Sequence, residues 1–216
     1  MPRLVPLAVA LAALTAASPA LASDPEAPRP STALLVIDIQ NFYFQGRLAL
    51  ERPEAAAARA RAALDRFRAL GWPVVHVQHL PKGVDTADPD MADAAYRIHP
   101  TVRPLPGEVV IGKHHANAFR DTALADVLRR LGITRLVICG MQTHMCVEAA
   151  ARAAADAGFD VVVLHDACAT RALAFGGTTV AAGDVHASTL ATLQGSYAAV
   201  LSTDEFLATL PVPSGP

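Results

Sequence analysis

The sequence has little cysteine, few aromatic residues and little charge. Its 216 residues include three cysteines, and 5% are aromatic and 18% charged, whereas 52% are hydrophobic. Three cysteines cannot all pair within one chain, which argues against a disulfide-stapled miniprotein. The apolar fraction excludes a disordered chain, and a formal net charge of −2 provides no basic excess for nucleic-acid binding. The length predicts one soluble domain with a substantial core.

The first 22 residues have the features of a cleaved secretory leader. Arg3 precedes an apolar run over residues 4–17, and residues 20–22 (Ala-Leu-Ala) match a signal-peptidase site. A membrane anchor is the alternative, but the run is shorter than the ~20 residues that a spanning helix needs, and Pro6 interrupts it. We therefore predict a periplasmic or secreted protein without membrane attachment after cleavage. The predicted segments are a signal peptide at 1–22, a flexible tether at 23–31 and a single domain at 32–216.

Strand-like and helix-like segments alternate from residue 32 onward. Apolar runs typical of buried strands occupy residues 33–38, 73–78, 108–112, 134–139, 160–164 and 198–201. Helix start and stop signals mark residues 53–70, 121–131, 145–157 and 178–194. This alternation predicts a three-layer α/β/α sandwich with a mostly parallel, Rossmann-like sheet of about six strands. Residues 80–106 show little periodicity and are predicted to form a long surface excursion.

Three reactive side chains follow predicted strands. Asp38 ends the first strand, Lys113 ends the third, and Cys146 lies after the loop that follows the fourth, at the start of a predicted helix. We expect them to lie close together, because the carboxyl ends of parallel strands meet at one edge of a sheet. Each alone has a structural interpretation: a capping acid, a surface cation or a buried thiol. Together they predict a covalent thiol hydrolase in which the acid takes the thiol proton.

Lysine is scarce, since only Lys82 and Lys113 occur among the 18 Lys and Arg residues. A compact ammonium can enter a pocket and tune a neighbouring group in a way that a guanidinium cannot. Lys113 and the amino end of the predicted helix both favour a thiolate, so we expect the pKa of Cys146 to lie below the free-thiol value of about 8.5. Cys139 is predicted to be a core residue, and Cys168 to be structural or within reach of Cys146.

Three segments of the sequence resemble the isochorismatase-like cysteine hydrolases of the nicotinamidase and amidohydrolase-like superfamily. They are ALLVIDIQNFY at 33–43, VIGKHHANAF at 110–119 and the stretch at 136–170. The last contains a G-x-x-T-x-x-C-V motif at residues 140–147. The resemblance extends from about residue 32 to residue 203. It implies that Asp38 is the general base, Lys113 the orienting cation and Cys146 the nucleophile.

The same resemblance implies the surroundings of the nucleophile. A cis peptide bond is expected between Met141 and Gln142, and the backbone N–H groups of Gln142 and Cys146 would form an oxyanion hole. Tyr43 corresponds to an aromatic residue that lines the substrate pocket in relatives. Gln78 ends a predicted strand at the same edge of the sheet and is a further candidate for substrate binding.

Two departures from related families narrow the expected chemistry. Nicotinamidases carry a metal-binding Asp-x-His pair after the second strand, where this chain has Val77, Gln78 and His79. The histidines show no clear set at metal-ligand spacing, so no metal or other cofactor is predicted. True isochorismatases lack the nucleophilic cysteine, so Cys146 favours cleavage of a C–N bond in a small amide or ureide. A small-molecule substrate and a homo-oligomer are the expected partners, and nucleic acid is not.

Two alternatives stay open on the sequence. One is a non-covalent, isochorismatase-type hydrolase of a vinyl ether, and the other is a non-catalytic small-molecule-binding member of the same fold. The complete set of Asp38, Lys113 and Cys146 weighs against the second, because a fold alone does not need these residue types at strand ends. A free catalytic thiol is also at odds with export, since oxidation would inactivate it. The sequence does not identify the substrate.

Overall fold

A computed structural model of the protein describes residues 31–85 and 93–212. The predicted signal peptide and all of the tether but Ser31 lie outside the described residues. The larger sheet has the strands β1 (Thr32–Ile37), β2 (Val74–His79), β3 (Val109–Lys113), β4 (Arg135–Met141), β5 (Asp160–Ala169) and β8 (Ala199–Leu201). A second, two-stranded sheet has β6 (Leu173–Phe175) and β7 (Thr178–Val180). The helices are α1 (Pro53–Ala69), α2 (Leu124–Arg130), α3 (Glu148–Asp156), α4 (Ala182–Leu193) and α5 (Thr203–Ala208).

The larger sheet has six strands in the order β3-β2-β1-β4-β5-β8, and every neighbouring pair is parallel. Helices cover both of its faces. Side chains of α1 and α5, including Leu64, Phe67 and Phe206, share one core cluster with one face of the strands. The other face shares a second cluster with α2, α3 and α4, including Leu128 and Leu190. The predicted three-layer α/β/α fold is confirmed.

The centre of the sheet is β1, which lies between β2 and β4. Residues 33–37 are almost completely buried because each face of the strand meets a layer of helices. This explains the continuous apolar run in the sequence, since a strand covered on both faces has no polar side. Asp38 follows directly, so β1 delivers a carboxylate to the carboxyl edge of the sheet.

Gly140 allows β4 to lie close to β1. It pairs with Ile37 and has a φ of 139°, and a Cβ at this position would collide with the Ile37 carbonyl group. The glycine of the G-x-x-T-x-x-C-V motif is therefore required for strand packing immediately before the segment that carries Cys146.

Several element bounds differ from the sequence predictions. Residues 178–180 were predicted to begin a helix but form β7, which pairs with β6 in an antiparallel hairpin. The physical reason is local: Gly176 and Gly177 both have positive φ and turn the chain, and the β-branched residues that follow favour a strand. β5 continues to Ala169 rather than ending at residue 164. α5 was not predicted, although Ser202 and Glu205 form a capping box at its start.

The predicted excursion at 80–106 is partly described and is attached to the sheet. Its described part has short 3-10 turns at Ala94–Tyr96 and Pro100–Val102. Gln40 forms an isolated bridge with Ile98, which fixes this segment beside the end of β1. Within the described ranges, none of the helices combines the length and apolar character needed to cross a membrane.

Candidate active site

The structure brings Asp38, Lys113 and Cys146 together at the carboxyl edge of the sheet. Lys113 Nζ lies 2.6 Å from Asp38 Oδ2 and donates to Cys146 Sγ at 3.3 Å. It also donates to the carbonyl oxygen of His115 at 3.0 Å. These three contacts match the three donors of an ammonium group. Asp38 and Lys113 are completely buried, and Cys146 is 6% exposed.

Asp38 is directed into the site by an unusual backbone conformation. It has a φ of 49°, in the left-handed region that non-glycine residues seldom adopt but that Asp tolerates better than most. Its N–H group donates to the Val77 carbonyl oxygen at 3.0 Å, which extends the β1–β2 pairing by one residue. The chain therefore turns at Asp38 itself, and the carboxylate stays inside the protein.

Lys113 is the last residue of β3 and pairs with His79 of β2. Burial alone would lower its pKa, but interactions with Asp38 and then with Cys146 outweigh this effect and raise the pKa. The ammonium therefore stays charged in the interior, where an unpaired lysine would lose its proton. A charged Lys113 can hold Asp38 in place and orient the sulfur at the same time.

Cys146 lies in a π-helical turn, Thr143–Val147, which we call the nucleophile turn; α3 begins only at Glu148. Cys146 thus lies near the start of a helical segment, as predicted, although this segment begins at Thr143 and its first turn is π-helical. The prediction of a lowered thiol pKa was wrong. Burial and then the charge of Asp38 raise the pKa of Cys146 to about 12, and Lys113 only partly offsets them. The resting nucleophile is a thiol whose proton must pass to a base.

The residues on either side of the nucleophile turn are also ordered. The peptide bond between Met141 and Gln142 is cis, as the resemblance implied. Gln142 Nε2 donates to the Tyr43 hydroxyl at 3.3 Å, and both side chains are buried. Burial, followed by the charge of Asp38, raises the pKa of Tyr43. Tyr43 therefore lies within electrostatic range of the catalytic candidates, while its role and that of the oxyanion hole stay predictions.

Gln78 and Gln40 hold the excursion against the strand ends. Gln78 Nε2 donates to the Tyr96 carbonyl oxygen at 3.1 Å, and Gln40 Nε2 donates to the same oxygen. Gln40 also pairs with the backbone of His79 through both its amide nitrogen and its amide oxygen, at 2.9 and 2.8 Å. The contact of Gln78 is thus structural, and substrate binding by Gln78 stays a prediction. No role was predicted for Gln40, although it lies in the segment at 33–43 that carries the family resemblance.

The other two cysteines lie in neighbouring strands. Cys139 is completely buried in β4, and Cys168 pairs through its backbone with Gly140. All three cysteines are free. Cys146 and Cys168 belong to the same core cluster, whereas Cys139 belongs to the cluster on the opposite face of the sheet. Cys139 is thus a core residue, and Cys168 lies on the nucleophile's side of the sheet.

No metal centre is visible among the residues at 31–85 and 93–212: they contain no group of three or more His, Cys, Asp or Glu side chains that could hold an ion. His79, at the place where nicotinamidases have their metal-binding pair, has its pKa lowered by burial and by the charge of Lys113. A neighbouring ammonium also disfavours a cation at that position. Metal independence stays a prediction.

A parallel sheet between two layers of helices thus carries a carboxylate, an ammonium and a thiol at its carboxyl edge, the arrangement expected of a hydrolase. The isochorismatase domain matches residues 32–205, and the chain belongs to this family. It is 45% identical over 178 residues to an uncharacterized isochorismatase family protein, YddQ, of Bacillus subtilis, covering 82% of this chain and 99% of that protein.

Solved structures support the same assignment. A putative isochorismatase hydrolase from Oleispira antarctica is 44% identical, with a TM-score of 0.76, and the match covers 82% of this chain and 96% of that one. N-carbamoylsarcosine amidase from Thermoplasma acidophilum is 28% identical, with a TM-score of 0.65, and the match covers 81% of this chain and 98% of that one. The family resemblance inferred from the sequence motifs is confirmed.

Proposed function

We propose that the protein is a cysteine hydrolase that cleaves a C–N bond of a small amide or ureide through a covalent thioester. The observation that carries this proposal is the contact of Lys113 Nζ with both Asp38 Oδ2 and Cys146 Sγ. A vinyl-ether hydrolase that works without a covalent intermediate has no use for a thiol held in this position. The similarity to an enzyme named N-carbamoylsarcosine amidase supports C–N chemistry.

The first half of the reaction forms the thioester. Asp38 accepts the proton of the Cys146 thiol as the sulfur attacks the carbonyl carbon, so the buried thiolate exists only when the substrate is present. The N–H groups of Gln142 and Cys146 stabilise the oxyanion of the tetrahedral intermediate. The proton then passes from Asp38 to the leaving nitrogen, the C–N bond breaks, and ammonia or an amine departs.

The second half releases the acid. Asp38 accepts a proton from water, and the resulting hydroxide attacks the thioester carbonyl carbon. The C–S bond breaks, the carboxylic acid leaves, and the sulfur recovers the proton from Asp38. Lys113 stays protonated throughout, because its raised pKa suits a positioning cation and not an acid that exchanges protons. Each cycle consumes one water molecule and no cofactor.

The side chain of Arg171 supports a narrower class of substrate, namely amides or ureides that carry an anionic group. Its Nε is buried without a hydrogen-bond partner in the described part of the chain. Its charge lowers the pKa values of both Tyr43 and His144, so the guanidinium lies within electrostatic range of these two side chains. A guanidinium with a buried, unused donor fits a carboxylate. We therefore propose that the preferred amide or ureide carries an anionic group.

The experiment is a panel of small amides, ureides and nicotinamide, with and without a carboxylate, read by ammonia release. We expect turnover of an acidic substrate, and loss of turnover after alkylation of Cys146 or in Cys146→Ser. Cys168→Ser is the matched control, because it removes a buried thiol from the same core cluster and leaves the nucleophile. Full activity of Cys146→Ser on the best substrate would instead support the non-covalent hydrolase, and binding without any turnover would support the non-catalytic alternative.

Location and assembly are further parts of the proposal. The leader at residues 1–22 supports export, and N-terminal sequencing of exported protein should find a mature chain that begins near Ser23. The family resemblance supports a homo-oligomer, which light scattering of the purified protein would test. A mature protein that retains residues 1–22, or a monomer at all concentrations, would contradict these two points separately.

A further inference from the structure

The nucleophile turn is held from two sides by pairs of histidine and threonine. On one side, the Thr143 hydroxyl lies 2.9 Å from Nδ1 of His186, a residue of α4. On the other, His144 Nδ1 lies 2.6 Å from the hydroxyl of Thr170, just after β5. Thr143 is completely buried, and it directly follows the Gln142 N–H group that the proposed mechanism assigns to the oxyanion hole.

The direction of the bond between His186 and Thr143 follows from the protonation state of the ring. Burial lowers the pKa of His186, which favours the neutral imidazole. We assign the ring hydrogen to Nε2, which leaves Nδ1 as the acceptor for the hydrogen of the Thr143 hydroxyl. One imidazole thus joins α4 to the nucleophile turn.

We propose that His186 is a positioning residue of the hydrolase: by accepting the hydrogen of the Thr143 hydroxyl, it fixes the turn that carries Cys146 and directly follows Gln142. This inference rests on the proposed function for its effect on turnover, but its effect on the thiol can be measured without a substrate. It also explains the threonine of the G-x-x-T-x-x-C-V motif, because a fully buried hydroxyl needs a partner.

The hydrogen bond between His186 and Thr143 can be removed by substitution of either residue. His186→Ala removes the acceptor, and we expect kcat to fall about 10- to 100-fold with little change in KM, because small displacements of reacting groups have effects of this size. A loosened turn also moves Cys146 away from Asp38 and toward solvent. Alkylation of Cys146, followed by mass spectrometry, should therefore become faster while turnover becomes slower. Loss of stability alone would instead speed the alkylation of all three buried cysteines, so Cys139 and Cys168 are the internal references.

Two substitutions separate the acceptor from the rest of the ring. His186→Asn places an amide oxygen near the position of Nδ1, so it should restore much of kcat. His186→Gln reaches the position of Nε2 instead and should behave like His186→Ala. Thr143→Val should match His186→Ala, and the double variant should be no worse than either single variant, because both remove the same hydrogen bond.

Thr189→Val is the matched control. Thr189 lies on the same helix α4, and its buried hydroxyl donates to the Val185 carbonyl oxygen at 2.8 Å. It should leave both kcat and Cys146 alkylation unchanged. Additive losses in the double variant, or wild-type kcat and alkylation in Thr143→Val, would overturn the inference. If wild-type protein cleaves no substrate in the panel while the alkylation pattern holds, the proposed function fails and the positioning role stands.

Discussion

The two ends of β3 each carry an ionic cluster, half-buried at the start of the strand and buried at its end, and the two clusters differ in how completely their carboxylates are bonded. Before the strand, Glu108 accepts from Arg68 Nε and Nη2 at 2.7 and 2.8 Å and from the Leu105 N–H group at 2.8 Å, and it contacts His76 at 3.0 Å. At the end of the strand, Asp38 has one cation, Lys113, and its Oδ1 has no hydrogen-bond partner in the described chain.

The electrostatics of the two clusters follow from this difference. Burial alone would raise the pKa of Glu108, but the hydrogen bonds from Arg68, Leu105 and His76 lower it to about 2. The Glu108 carboxylate thus has no acceptor position to spare for a reacting proton. Asp38 keeps an oxygen available beside a thiol whose pKa is about 12. A carboxylate whose acceptor positions are all occupied by hydrogen bonds stabilises the fold. A carboxylate with a free oxygen retains the acceptor that proton transfer needs.

The largest expected effect comes from removing the charge of each carboxylate in turn. Asp38→Asn should lower kcat by about 10²- to 10⁴-fold, since the base that takes the thiol proton is lost. Glu108→Gln should leave kcat per folded molecule unchanged. The measurement is steady-state turnover on the best substrate of the panel, with circular dichroism to confirm folding. Comparable activity losses in the two variants would show that the clusters do not differ in function.

Glu108→Gln, which should leave kcat unchanged, should instead lower the free energy of unfolding. A Glu108 pKa near 2, against an ordinary value of 4.5, corresponds to at most about 3 kcal/mol of free energy of unfolding. Because the folded pKa is depressed, this stabilisation is present above pH 4.5 and is lost as pH falls toward 2. The difference between wild type and Glu108→Gln in denaturant titrations should therefore shrink over this range.

A matched control for this stability effect is Asp65→Asn, which breaks the exposed Arg61–Asp65 pair. It should change the free energy of unfolding by less than about 1 kcal/mol. An equal loss in both variants at neutral pH would mean that the bonding of Glu108 contributes nothing beyond an ordinary surface pair.

A smaller effect concerns the reactivity of the thiol. With a pKa near 12, alkylation of Cys146 should keep accelerating with pH and show no plateau below the ordinary thiol pKa of about 8.5. Asp38→Asn should speed alkylation at moderately alkaline pH, because the carboxylate charge raises the thiol pKa. Lys113→Met should slow it, and Lys82→Met, at the exposed second lysine, should not. A plateau below about pH 8.5 would show instead that the charge of Lys113 outweighs burial and the charge of Asp38 in setting the pKa of Cys146.

The last prediction is that removal of metal ions has no effect on turnover. A divalent ion on Asp38 would fill its free oxygen and make its carboxylate as saturated as that of Glu108. We expect a chelator to leave turnover unchanged. Loss of activity that one divalent ion restores would place a cation at Asp38 and remove the contrast between the clusters.

Much of the fold and of the site composition could be predicted because both depend on local patterns. Buried parallel strands require continuous apolar runs, and parallel strands bring their carboxyl ends to one edge, so Asp38, Lys113 and Cys146 were expected to meet. The thiol pKa could not be predicted, because it depends on how deeply packing buries Cys146 against how near Asp38 lies. The sequence shows which charges are present but not the balance between desolvation and attraction.

The missed elements have a similar explanation. The hairpin of β6 and β7 competes with helix formation over a few residues, and the turn at Gly176 and Gly177 decides the outcome. The contacts of Gln40 and His186 join segments that are far apart in the chain, at Tyr96 and Thr143. Periodicity within a segment carries no information about such contacts, although an unexplained polar residue near a strand end is a useful signal.

The position of β3 at the edge of the sheet has a consequence for native-state dynamics. Edge strands lose their pairing in local openings that cost less free energy than global unfolding. Such an opening of β3 would carry Lys113 away from Asp38 and Cys146 while β1, β4 and β5 stay paired. We therefore expect the proposed orienting cation to belong to a less protected unit than the proposed base and nucleophile, which follow the central strands β1 and β4. Amide hydrogen exchange in β3 would report how often the site, in a protein still folded, is briefly incomplete.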